Sequence, residues 1–225
     1  LLPEKRAYAD FARELEESCL VNDPYYDGRP IFYSAPLVVP DAFHARVSEA
    51  GERIGALYQE LCQIVWREPE LLDSFFHLPP FYKLMWLASD MEWHGFARMD
   101  LFHCDDDTLK VCELNADTPS GQVEALVPYP FIAPHYPSLR PLNGDYEERL
   151  WRVLLRYHRR RTGDESEPRC IGIVFPTDLP EDITLIRLYQ RWFEARGASV
   201  VLGSPLNLAR STTVIAGSRP RSAAS

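Results

Sequence analysis

At 225 residues the chain has room for one large domain or two small ones, and 46% hydrophobic content allows a core without disulfide or metal staples. A net charge of -9 argues against a nucleic-acid partner, because a non-specific nucleic-acid binder needs a basic footprint. The five cysteines (Cys19, Cys62, Cys104, Cys112, Cys170) are scattered with no C-x-x-C pair, which reads as reduced thiols in a cytoplasmic protein.

No apolar run approaches the roughly 18 residues of a membrane span, so no membrane partner is expected. The opening LLPEKRAYADFARELEE is charged and helix-like, unlike a signal peptide. Residues 3–20 read as an amphipathic helix, and NDPYYDGRPIFYS (residues 22–34) as a surface loop. Pro40 and Asp41 then mark the start of a longer helix, on which Phe43, Val47, Ile54, Leu57, Leu61 and Ile64 recur mostly at three- to four-residue spacing. A further helical piece is expected over residues 81–89, with Trp86 and Trp93 as packing groups.

Next comes GFARMDLFHCDDDTLKVCELNADTPSG, residues 95–121. Two apolar-rich runs flank an Asp-Asp-Asp turn, the pattern of a hairpin. With Asp106-Asp107 as a two-residue loop, Asp100 faces Glu113 and Arg98 faces Asn115. Strand residues two apart share a face, so all four polar groups fall on one side. The opposite face takes Ala97, Met99, Leu101, Cys112 and Leu114. Facing carboxylates repel unless a cation lies between them. Arg98 is one such cation and a divalent metal is another, since Mg²⁺ takes one or two carboxylates, waters and phosphates. The bland alternative is a surface hairpin with an Arg–Asp pair and a solvated Glu. Against it, the face leads into NADTPSG, where backbone N–H groups can hold an anion.

After the hairpin, residues 119–127 are expected to be helical, with Thr118 as N-cap and Pro119 at the first position. The proline-rich stretch 128–141 reads as an irregular connection. Residues 145–161 form a helix with acids first and arginines last, an order that suits the helix dipole. CIGIVFP and SVVL, separated by a helix and by Gly197, read as a βαβ unit with two buried parallel strands. The Ser/Arg/Ala-rich end reads as disordered. The expected fold is α/β (mixed α+β). Residues 1–165 form a helical body around the hairpin, 166–208 form a Rossmann-like βαβ element, and 209–225 form a mobile tail.

Arg98-Met99-Asp100 followed by Glu113-Leu114-Asn115-Ala116-Asp117-Thr118-Pro119-Ser120 resembles the R-x-D … E-x-N-A-D-x-P-[ST] pattern of the glutathionylspermidine synthetase-like ATP-grasp ligases. CIGIVFP … ARGASVVLGSPLNL resembles the pre-ATP-grasp element of that family. The resemblance implies an ATP-dependent carboxylate–amine ligase that forms an amide through an acyl phosphate. It implies ATP as co-substrate, with Asp100, Glu113 and Asn115 as Mg²⁺ ligands. Arg98 becomes the guanidinium on the transferring phosphoryl group, and Thr118 and Ser120 become contacts to a peptide-like carboxylate substrate. The lysines that hold the nucleotide lie downstream of the βαβ element in that family and have no counterpart in this chain. The chain therefore reads as the front part of something longer, marginally stable alone, with apolar surface open where the ATP-grasp half docks.

Two other readings stand beside this one. One is an incomplete ligase part serving as a binding or interaction module. The other is a Mg-dependent restriction-like nuclease with Asp100 and Glu113-x-Asn115 on its hairpin; there Asn115 stands where a Lys is expected, and the acidic charge disfavours DNA. The histidines lack H-x-x-x-H or H-E-x-x-H spacing, and neither G-x-x-x-x-G-K-[ST] nor G-x-S-x-G occurs.

Overall fold

The computed structural model describes residues 7–21, 23–89, 93, 95–116, 119–176 and 182–207. The start of the expected first helix, Thr118 and the expected tail from residue 209 lie outside these residues. The chain is mixed α/β, with helices and two-stranded sheets. No helix among the described residues is long and apolar enough to cross a membrane. The fold divides into two compact units, one of residues 1–34 with 126–225, the other of residues 35–125.

The first unit opens with α1, Tyr8–Glu17, which buries Phe11, Ala12 and Leu15 on one stripe. The segment read as a loop holds a small antiparallel ladder, β1 (Tyr25–Tyr26) against β2 (Arg29–Pro30). Asp27 and Gly28 turn it with φ of 49° and 69°, the two positive values that a tight hairpin turn requires.

The proline-rich stretch contains a short helix, residues Tyr129–Ile132, against which α1 packs. A longer helix at Tyr146–Thr162 ends at Gly163, whose φ of 70° closes it. Strand Cys170–Val174 pairs in parallel with strand Ser199–Gly203, and helix Asp182–Ala195 connects them. Trp151, Phe193 and Ala198 form the buried centre of this element, with Ile171, Ile173 and Val200 from the sheet packed on it. Arg196 ties the connecting helix to the start of the Tyr146–Thr162 helix through Glu147 and Glu148, and its guanidinium lies 5.2 Å from the Trp151 ring centre. The unit that holds the βαβ element therefore reaches back past residue 165.

The strands correct one expectation. Their apolar runs read as buried on both faces, yet Val174 and Val201 are 46% and 59% exposed. The reason is that the helix before the βαβ element and its connecting helix supply the same cluster, so both cover one face of the sheet.

The second unit is built on a long helix, α2, at Asp41–Arg67. Pro40 stands just before it in extended conformation and Asp41 lies in its first turn, as the sequence pattern predicts. A short α3 (Leu71–Ser74) and α4 (Pro80–Leu87) follow. No residue of α4 is buried, and Phe81, Leu84 and Met85 are more than half exposed.

Strands β3 (Arg98–His103) and β4 (Leu109–Asn115) form the expected antiparallel hairpin. Gly51 and Gly55, one turn apart on α2, let the Met99 methyl and the Trp93 ring approach to 3.9 Å and 3.4 Å of where a Cβ would stand. Gly51→Ala should therefore raise stability by about 0.5–1 kcal/mol, since the helix gains a better former and only a flexible Met99 tip lies near. Urea unfolding checks it: a lower midpoint would mean that the helix and hairpin have no room for one methyl group.

The hairpin turn differs from the two-residue loop expected. Cys104 and Thr108 close a three-residue loop, with Asp107 at φ 61° and its N–H donating to the Cys104 carbonyl at 2.9 Å. Asp106 Oδ1 accepts from the Thr108 backbone N–H and hydroxyl, at 3.1 and 2.6 Å, which holds the turn. The pairing thus slips by one residue at the tip, and Leu101 faces Val111. A bulge at Cys112 restores the register below it. Cys112, expected on the apolar face, is instead exposed as the extra residue of that bulge.

Candidate functional site

The two register shifts cancel where they matter. Arg98 pairs with Asn115, and Asp100 with Glu113, so the four polar residues share one face of the hairpin. Arg98 forks onto its neighbour two residues along, with Nε donating to Asp100 Oδ1 at 2.8 Å and Nη2 to Oδ2 at 3.3 Å. On β4, Asn115 Nδ2 donates to Glu113 Oε1 at 3.0 Å. That bond turns the Asn115 amide so that its Oδ1 points away from Glu113.

The charges respond to this arrangement. The hydrogen bond from Arg98 holds the Asp100 carboxyl below its usual value; partial burial works against it, and the guanidinium charge and a contact with Glu113 add to the lowering. Arg98 is raised above its ordinary value, first by the hydrogen bond to Asp100, with the charges of Asp100, Glu113 and Glu124 adding. Both groups of the pair are a little over one-third exposed. A half-exposed pair of this kind contributes little to stability, so the cost of its removal is expected in chemistry rather than in folding.

Ser120 joins the cluster from outside the hairpin. Its carbonyl and its hydroxyl accept from Arg98 Nη1 at 3.0 and 2.7 Å. The chain can make this approach because Gly121 holds φ at +98°, a conformation that side chains rarely adopt. The same torsion corrects the expected helix over 119–127: Gly121 cannot be helical, so the helix, α5 in this unit's numbering, begins at Gln122 and ends at Leu126. Thr118, the other expected substrate contact and the expected N-cap, lies outside the described residues.

The donor set suits a hard cation. Asp100 and Glu113 offer carboxylate oxygens and Asn115 a neutral one, the mixture that Mg²⁺ accepts when waters and phosphates complete its shell. Among the described residues no group of three or more His, Cys, Asp or Glu side chains forms a metal cage. Two participants escaped the sequence reading. Gly121 was signalled only as part of a Pro-Ser-Gly turn, and Glu124 only by following it at helical spacing.

Trp93 packs on Tyr58, with ring centres 5.5 Å apart, and against Gly55, so it packs on α2. Set against protein-family models, curated proteins and solved structures, the chain matches none of them, and its functional reading rests on this hairpin.

Proposed function

We propose that this chain carries the metal- and phosphoryl-facing part of an ATP-dependent carboxylate–amine ligase that resembles the glutathionylspermidine synthetase-like ATP-grasp enzymes. The observation that supports it is the clustering of Arg98, Asp100, Glu113 and Asn115 on one hairpin face, with Ser120 beside them. Asp100, Glu113 and Asn115 would hold Mg²⁺, which when bound neutralises charge on the phosphate oxygens. Arg98 keeps its positive charge at any physiological pH and faces the phosphoryl group as it transfers. Phosphoryl transfer asks for positioning and charge, and this face offers both without a covalent nucleophile.

In the reaction class proposed, a carboxylate oxygen attacks the γ-phosphorus of ATP and ADP leaves. An amine nitrogen then attacks the acyl carbon and phosphate leaves. The carboxylate is peptide-like, with the glycine carboxylate of glutathione as the first choice by resemblance. The test is ADP release by the full-length gene product from Mg-ATP, with glutathione and spermidine as the first carboxylate–amine pair and a panel of others after it. Release that requires both substrates is expected. The absence of ADP release with every pair would favour the reading as a binding module, and cleavage of DNA in Mg²⁺ would put the hairpin among nucleases.

A further inference from the structure

We propose that the Ser120–Gly121 turn is a positioning device for Arg98, which it holds in place before any ligand arrives. A guanidinium has five N–H donors. Asp100 takes one from Nε and one from Nη2, and Ser120 takes Nη1 through its carbonyl and hydroxyl. One N–H of Nη2 stands outside these bonds. Arg98 so held cannot fork a second carboxylate. It presents a single donor, at a set place, to a single oxygen.

Gly121 completes the device. A Cβ at this position would stand 3.5 Å from Arg98 Cδ, so the turn runs along the aliphatic stem while Ser120 holds the head. The two anchors act on opposite edges of the guanidinium. Asp100 alone fixes one edge, and the Nη1 edge is then free to exchange with water. With Ser120 present, neither edge needs to reorganise when charge develops in front of it, which is the source of electrostatic preorganisation. Ser120 therefore acts through Arg98, and its hydroxyl is spent on the protein before a substrate is met. The catalytic consequence rests on the ligase reading above; the clamp itself does not.

The experiment uses the full chain labelled with ¹⁵N, with the Arg98 Nη1–H signals identified by their loss in Arg98→Lys. Ser120 is exposed, so Ser120→Ala is expected to fold. In that variant the Arg98 Nη1–H protons should exchange with water about ten-fold faster than in the wild type, and Ser120→Thr, which keeps the hydroxyl, should restore slow exchange. In the ADP-release assay Ser120→Ala should lower kcat about ten-fold and leave KM for the carboxylate unchanged, with Ser120→Thr again restoring it. An unchanged Arg98 signal in Ser120→Ala overturns the clamp. So does a raised KM with an intact kcat, which would mean that the hydroxyl touches substrate directly. Absence of turnover in the wild type counts against the ligase reading, and the Arg98 signal then decides the clamp by itself.

Discussion

Asp100→Asn should lower Mg-dependent ADP release by about 100-fold or more and leave the fold intact. The substitution removes the negative charge that faces Arg98 and, on the ligase reading, the cation proposed beside it. It also turns one of the two acceptor oxygens into an NH₂ donor, which cannot accept from the guanidinium, so the fork of 2.8 and 3.3 Å is lost. Arg98 then keeps Ser120 and at most one oxygen acceptor at position 100. Folding is spared because the pair is more than one-third exposed and water replaces what is lost.

Glu113→Gln should act in the same direction with a smaller effect, since Gln keeps an oxygen for Asn115 and relieves the repulsion with Asp100 across the strands. Steady-state kinetics, with circular dichroism on the same samples, measures both effects. Normal turnover in Asp100→Asn would remove Asp100 from the ligand set, and loss of the fold would make its role structural.

Trp151→Ala should destabilise the unit that holds the βαβ element by about 3–5 kcal/mol, the largest stability effect expected in the chain. Trp151 is only 3% exposed, sits with Phe193 and Ala198 at the centre of the cluster, and lies under the Arg196 guanidinium. Its removal leaves a hole that Leu154, Leu155 and Ile173 cannot all fill while the sheet keeps its register. The contrasting substitution is Val201→Ala on the other face of the same sheet, where the side chain is 59% exposed and little burial is lost. Urea unfolding of the two variants should show a large midpoint shift for the first and a small one for the second. A loss of under about 1 kcal/mol in Trp151→Ala would mean that the sheet is not held by this cluster.

The face of the candidate site was legible in the sequence because strand periodicity is local. Arg98 and Asp100 are two apart, as are Glu113 and Asn115, and residues two apart must share a face in any strand. The long helix from Asp41 and the helix with acids first and arginines last were legible for the same reason: caps, dipole order and spacing all act within a few residues.

What tertiary structure decided lies between segments. The hairpin tip slipped because Asp107 adopts positive φ, and the Cys112 bulge then returned the register. Neither is visible in an alternation of apolar and polar residues. Gly121 overrode the helix start at Pro119 because its torsion brings Ser120 onto Arg98, a partner 22 residues away. The apolar strands CIGIV and SVVLG announced burial but not on how many faces. That depended on where the Tyr146–Thr162 helix packs: it shares one face with the connecting helix, so Ile171, Ile173 and Val200 are covered while Val174 and Val201 face outward. A run of apolar residues sets the preference for leaving water, and only the packing of distant helices determines which side of the sheet satisfies it.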